Sequence, residues 1–194
     1  MRKKRELREG ALYHVTARAN RSELFMESPE IKALFISIII RAKDRFNFIL
    51  YNFCIMGNHF HFIIRPGKGE SLPKIMHWIM FVSAISYNKK RGVKGHLWGD
   101  RYYSKVLNSL NQFLRAFRYI DHNPVKAKLV KIAREWKHGG LGHFLAKDCS
   151  ITGKLPEWIR EPKTGNCVAL MTYNRERFAA WLGLDLNRVS KNNC

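Results

Sequence analysis

Cysteine is scarce in this chain and scattered where it occurs. Cys54, Cys149, Cys167 and Cys194 form no C-x-x-C pair. That spacing excludes a zinc knuckle and a disulfide frame, and it suits a reducing compartment. Acidic residues are the next shortage: 15 Asp and Glu stand against 35 Lys and Arg, a formal net charge of +20. Long apolar runs are missing too. The longest, Ala33 to Ile40, is too short to span a bilayer. Arg2, Lys3, Lys4, Arg5 and Arg8 make the N-terminal residues basic, but no apolar stretch follows them as in a secretory signal. No internal repeat is visible. These absences lead to the expectation of a cytoplasmic protein that makes no membrane contact.

What is present is a globular composition, 46% hydrophobic and 12% aromatic, in a chain long enough for one good core and a small appendage. A large positive excess on a folded domain costs self-repulsion, which a polyanionic partner relieves. Nucleic acid is the partner this implies. The basic residues are spread along the chain and not gathered on one amphipathic helix, which argues against a membrane surface.

Ala11–Arg18 reads as a first strand, with Tyr13, Val15 and Ala17 on one face. Ser28 and Pro29 open a helix as N-cap and first helical residue, and Ile31, Leu34, Phe35, Ile38 and Ile39 follow at helical spacing. Residues 46–55 predict a second strand, Gly57-Asn58 a turn, and residues 59–65 a third. On that third strand Phe60 and Phe62 face a core, and His59 and His61 stand together on the other face. Residues 72–90 predict a second helix, stopped by Arg91-Gly92. Its Trp78, Phe81 and Tyr87 suit either a core or a base-stacking role. Residues 97–107 predict a fourth strand. The order βαββαβ is that of an α+β, ferredoxin-like fold, an antiparallel sheet with two helices on one face. The histidine pair then lies on the opposite face.

Asn108 is expected to cap a further helix with the apolar stripe Leu110, Phe113, Phe117 and Ile120. Tyr119 flanks that stripe and Asn123 lies one turn on. Asn123 also precedes Pro124, so it reads equally well as the N-cap of another short helix through Ile132. Beyond Arg134 the pattern weakens to a glycine loop and small amphipathic pieces at residues 155–159 and 178–186.

Two neutral imidazoles two residues apart on a strand can share one metal ion with positions left open, or can simply be solvated. A metal held there polarises a phosphate, and a nucleophile is then required. No serine sits in an elbow motif, and the cysteines have no activating neighbours. Tyr119 is the candidate if its helix crosses the histidine face. Attack by a tyrosine stores the phosphodiester bond energy in a covalent intermediate. Asn123, on the same helix face, could complete the metal shell.

The segment Cys54-Ile55-Met56-Gly57-Asn58-His59-Phe60-His61-Phe62-Ile63 resembles the His-hydrophobic-His motif of the HUH endonuclease superfamily. Arg118-Tyr119-Ile120-Asp121-His122-Asn123-Pro124-Val125-Lys126-Ala127 resembles the nucleophile segment of its single-tyrosine transposases, most like the REP-associated tyrosine transposases. Tyr13–Asn20 resembles their first strand, and Gly95–Trp98 with Arg101–Ser104 the segment before the tyrosine helix. The resemblance covers most of residues 10 to 135. It implies a metal-dependent nuclease and strand transferase acting on single-stranded or hairpin DNA through a 5′-phosphotyrosine, with Mg2+ or Mn2+ as cofactor. His59 and His61 carry over as metal ligands, Asn123 as a third ligand and Tyr119 as nucleophile. Arg18, Arg65, Trp98, Arg101, Tyr102, Tyr103, Arg118 and Lys126 are the expected DNA contacts. Residues 1–135 would form the nuclease domain and residues 136–194 an extension packed on it, in a monomer or homodimer.

Two alternatives stand beside this reading. One is an HUH replication or relaxase-type nickase, disfavoured by the lack of a helicase-like segment in these residues. The other is a non-catalytic nucleic-acid-binding ferredoxin-like domain, although no strand resembles the RNP motifs of that class. The charge itself makes a prediction. With roughly six phosphate contacts, log affinity for single-stranded DNA against log salt should have a slope near −4. Fluorescence anisotropy across a potassium chloride series measures it, and salt-independent binding would show that the basic surface is not the DNA track.

Overall fold

A computed structural model describes residues 5–145, 150–153 and 175–184. Strands β1 (Leu12–Arg18), β2 (Phe48–Ile55), β3 (His59–Pro66) and β4 (Tyr103–Leu107) form one sheet in the order β2-β3-β1-β4. Every neighbouring pair is antiparallel. Helices α1 (Pro29–Arg45) and α2 (Leu72–Arg91) fall between β1 and β2 and between β3 and β4, so the chain order is the expected βαββαβ. Ser28 Oγ accepts the Ile31 N–H at 3.4 Å to start α1 with Pro29 in its first turn. Gly92, at φ 65°, ends α2 in the left-handed region that glycine tolerates.

Strand alternation sorts the side chains into two layers. Tyr13, Val15, Ala17, Phe60, Phe62 and Ile64 bury against α1 and α2, where Phe35 meets Phe60 and Phe62. Leu12, Cys54 and Ile63 bury on the other face against α3 (Leu110–Lys126), through its Leu110, Phe113, Leu114, Phe117 and Ile120. A bulge between Leu50 and Asn52 interrupts the β2–β3 ladder. It turns both Tyr51 and Asn52 toward α3, where Tyr51 packs edge-on against Phe113 and Asn52 Nδ2 donates to Asp121 Oδ1 at 2.8 Å. Short helix α4 (Gly140–Leu145) lies along β2, and α5 (Arg175–Leu182) adds Ala179 and Leu182 to the second layer. The outer edge of β2 is covered: Ile55 N–H donates to His138 O, and Gly153 N–H to Leu50 O. No helix among the described residues is long and apolar enough to cross a membrane.

The expected elements need five corrections. Gly140 and Gly142, expected in a glycine loop, lie in helix α4, where Gly140 packs closely on Asn52 and Phe53. Phe46 is the C-cap of α1, its N–H bonded to Ala42 O, so β2 begins at Phe48. The fourth strand is confined to Tyr103–Leu107, because Leu97 to Gly99 bond instead to Arg18 and Asn20 at the end of β1. Ser109, not Asn108, is the N-cap of α3; Asn108 N–H donates to Gln112 Oε1. Asn123 caps no new helix. The α3 helix runs through Pro124 to Lys126, and residues 125–132 form no helix of their own. Proline there removes one hydrogen bond in the last turn, while its ring is buried with the rest of the stripe. The piece expected at residues 178–186 is observed as α5. Residues 155–159, Cys149, Cys167 and Cys194 lie outside the described residues.

The Asn52–Asp121 bond is closed in by Gly140. A Cβ at Gly140 would fall on Asn52 Oδ1 and within 3.1 Å of Phe53 N, where Asn52 Oδ1 already accepts the Phe53 N–H. Asn52→Leu should therefore lower stability by about 1–3 kcal/mol, the usual cost of taking a hydrogen-bond partner from a buried polar group. Gly140→Ala should cost about 1–3 kcal/mol from overpacking. Urea unfolding of both variants checks this, and unchanged midpoints would show that the bond does not anchor α3.

Candidate active site

Five side chains, His14, His59, His61, Tyr119 and Asn123, converge on the α3 face of the sheet. In the β1–β3 ladder Arg18 pairs with His59 and Thr16 with His61, and Cys54 of β2 flanks His61 from the other side. The rings of His59 and His61 stand perpendicular with centroids 5.1 Å apart. Helix α3 crosses above them. The Tyr119 ring meets His61 edge-on at 5.3 Å and His14 at 5.9 Å, and Asn123 Oδ1 lies 3.4 Å from His59 Nε2. Tyr119 is 48% exposed while His61 is only 5% exposed. The phenol is thus open to solvent while the His61 ring it meets is buried.

His14 is the member that sequence reasoning missed. Its Nε2 lies 3.1 Å from His61 Nδ1. The signal was available: period two on β1 puts His14 opposite Tyr13 and Val15, on the same face as the histidine pair. Asn58 was read only as a turn residue, yet its Oδ1 lies 2.7 Å from His59 Nδ1.

Burial keeps these rings uncharged. It lowers His61 to about 3, helped by the neighbouring His14 and His59. It lowers His14 to about 4, with Lys105 across the ladder adding to the effect. His59 is lowered too, by burial first; the Asn123 contact opposes the shift and Arg18 adds to it. Neutral imidazole is the form that ligates a metal. Among the described residues no group of three His, Cys, Asp or Glu surrounds a common point. The available donor set is two imidazoles and the Asn123 carboxamide. The Nδ1 atoms of His59 and His61 face Asn58 and His14, so Nε2 is the nitrogen that each ring can offer. With its proton on Nδ1, His59 would turn a lone pair toward the Asn123 oxygen, an arrangement that a cation between them relieves. On this chemistry the residues fit a divalent metal.

The expected DNA contacts divide into two groups. Arg18, Arg101, Tyr103, Arg118 and Lys126 are exposed. Arg18 sits beside His59, and Tyr103, 61% exposed, sits beside Thr16 on the same sheet face. Arg118 and Lys126 lie on α3 before and after Tyr119. The other three are taken up in packing. Trp98 Nε1 donates to Met80 O and Ser83 Oγ, and its ring packs edge-on against Phe25 and Phe60. Tyr102 is buried, with the Arg5 guanidinium 3.8 Å over its ring. Arg65 bonds Tyr51 Oη and Leu182 O. Trp98 and Arg65 are half-buried.

The buried histidines predict a pH dependence. Their folded values lie below the ordinary value near 6.5, so the unfolded chain takes up protons first. Stability is then full above about pH 6.5 and falls as pH drops toward the folded values near 4 for His14 and near 3 for His61. His138, also held near 4 by burial, adds to the loss. The slope is at most about 1.4 kcal/mol per pH unit for each histidine. Urea midpoints at pH 7.5, 6 and 5 should decline, and His14→Phe should flatten the decline; a level profile down to pH 5 would contradict the buried-neutral assignment.

No curated protein matches this chain significantly. Among solved structures, a REP-associated tyrosine transposase bound to a REP hairpin shares the fold, with a TM-score of 0.66 and 18% identity over 81% of this chain and 99% of that one. A provisionally named transposase from Deinococcus radiodurans is more distant, with a TM-score of 0.45 and 16% identity over 62% of this chain and 96% of that one. The family model of the IS200-like transposases matches residues 8–123. That match spans more than half of the 194 residues and contains the histidine pair, Tyr119 and Asn123. The chain belongs to the IS200-like transposases.

Proposed function

We propose that this transposase cuts and rejoins single-stranded or hairpin DNA through a 5′-phosphotyrosine formed on Tyr119. The observation that carries the reading is the meeting of half-exposed Tyr119 with the buried His61 ring at 5.3 Å, beside His14 and His59. Family membership and the net charge of +20 support DNA as the substrate. The hairpin bound by the REP-associated transposase of like fold makes a hairpin the first DNA to test.

His59, His61 and Asn123 would hold a divalent cation, Mg2+ or Mn2+. When bound, the ion supplies Lewis-acid polarisation of the scissile phosphate. The remaining steps belong to the chain. Tyr119 Oη attacks phosphorus and releases its proton to solvent. An oxygen–phosphorus bond forms to the tyrosine, the bond from phosphorus to the 3′ oxygen breaks, and that oxygen leaves as a hydroxyl after taking a proton from solvent. The ester energy is kept, so an incoming 3′-hydroxyl can attack the phosphotyrosine and reseal the strand. Arg18, Arg118 and Lys126 hold phosphates on either side of the break. Arg101 does so from the β4 side, and Tyr103 offers a ring to an unstacked base. Residues 1–135 carry the chemistry and residues 136–194 are an extension of that unit, of which the described helices α4 and α5 lie against β2 and α3.

Labelled hairpin-tailed single-stranded DNA with Mg2+ or Mn2+ tests the reading on a denaturing gel. Wild-type protein should form a covalent adduct. Tyr119→Phe should abolish it and leave DNA affinity nearly unchanged, and Tyr103→Phe should still form it. His59→Ala, His61→Ala and EDTA should each stop cleavage. An adduct formed by Tyr119→Phe would assign the nucleophile to another residue, and full cleavage in EDTA would remove the metal.

A further inference from the structure

A histidine offers a metal only one nitrogen at a time, and the proton on the other nitrogen decides which one. A ring free to exchange tautomers, or to turn about its χ angles, presents the wrong atom part of the time. Both histidines of the pair are held against this, by different parts of the fold.

His59 is held by Asn58. The Asn58 amide is itself oriented, because its Nδ2 donates to Ser22 O at 3.1 Å. Its Oδ1 is therefore the atom facing His59 Nδ1 at 2.7 Å. An oxygen there only accepts, so His59 carries its proton on Nδ1 and leaves Nε2 bare. The loop supplying the Ser22 carbonyl is strained: Arg21 and Ser22 lie at φ 49° and 57°, left-handed values that non-glycine residues rarely adopt. Further backbone bonds, Ala19 N–H to Asn58 O and Met26 N–H to Gly57 O, clamp this loop to the turn before β3.

His61 is held by His14, whose Nε2 lies 3.1 Å from His61 Nδ1. One nitrogen of this pair must donate and the other accept. Both rings are fixed by the β1–β3 ladder and by Tyr119, which packs edge-on against each.

We propose that His14 and Asn58 are positioning residues that lock His61 and His59 as Nδ1–H tautomers, so that both Nε2 atoms face the metal. In the His14–His61 pair this makes His61 the donor and His14 Nε2 the acceptor. Each acts through the ring it holds. The inference rests on the metal reading of the site given above.

The test uses the full chain with 15N-labelled histidine. Ring 15N shifts are first recorded without metal, and Mn2+ affinity is then measured by calorimetry. The wild type should show His59 and His61 protonated on Nδ1 alone. His14→Phe should release the His61 tautomer and leave that of His59 in place; Asn58→Leu should do the reverse. Each should weaken Mn2+ binding by about 10- to 100-fold, the usual effect of losing such a partner. His14→Gln and Asn58→Asp keep an accepting oxygen and should restore both readouts, which a purely structural loss would not allow. Backbone amide spectra identify any variant that fails to fold, and the rescuing pair then carries the test. Tautomers and affinity unchanged in folded His14→Phe and Asn58→Leu would overturn the locks while leaving Tyr119 and the metal standing. Locked rings in a wild type that takes up no Mn2+ would overturn the metal reading, and with it the purpose given to the locks.

Discussion

The position of α3 on the sheet is the constraint from which the site follows. Its stripe of Leu110, Phe113, Phe117 and Ile120 would bury almost as well after a slide along the helix axis, because apolar contact is not directional. A hydrogen bond inside that contact is directional. Asn52 reaches Asp121 from the bulge in β2, and both groups are out of solvent. A slide would separate two buried polar groups, and breaking such a pairing costs more than the bond itself contributes. Asp121 lies between Tyr119 and Asn123 in the chain, so the bond that seats the helix also sets where the phenol and the carboxamide meet the histidines.

The electrostatics of the site run against those of the surface. The chain carries +20 overall, yet under α3 lie three imidazoles whose protonation burial disfavours. Protonated rings would repel a cation; neutral ones can ligate it. The charge that attracts a polyanion is kept at the rim, on Arg18, Arg118 and Lys126. Tyr119 stands on the line between the two regions, edge-on to His61 below and open to solvent above.

Much of this was legible in the chain because strands and helices have fixed periods. The alternation Phe60-His61-Phe62 assigned both faces of β3, and the 3.6-residue stripe found α3. Local rules failed where tertiary contacts outweighed them. Proline after Asn123 reads as the opening of a helix, but burial of the continuing stripe carried α3 through it. Tyr102 is an aromatic beside a basic loop and reads as a stacking platform, whereas Trp98 reads equally as platform or core. The core behind β1 took Trp98, and Arg5 covers Tyr102. Arg65 reads as a surface cation, but Tyr51 and the end of α5 hold it. His14 escaped notice because no second histidine stands beside it in sequence; its partner is brought by β-pairing from 47 residues away.

The bulge in β2 carries a consequence for how this sequence can change over generations. Side chains can be exchanged at many points of a sheet while the backbone keeps its course. Chain length at the bulge has no such freedom. Losing Tyr51 would let β2 and β3 pair regularly from Phe48 to Ile55, and so would close the ladder more neatly than it is closed now. It would also remove the ring that packs on Phe113 and the irregularity that lets two consecutive residues face one helix. Gaining a residue there would turn part of β2 over, moving apolar side chains to the wrong layer. Drift in this strand is therefore confined to substitution: its letters can vary, but its count cannot.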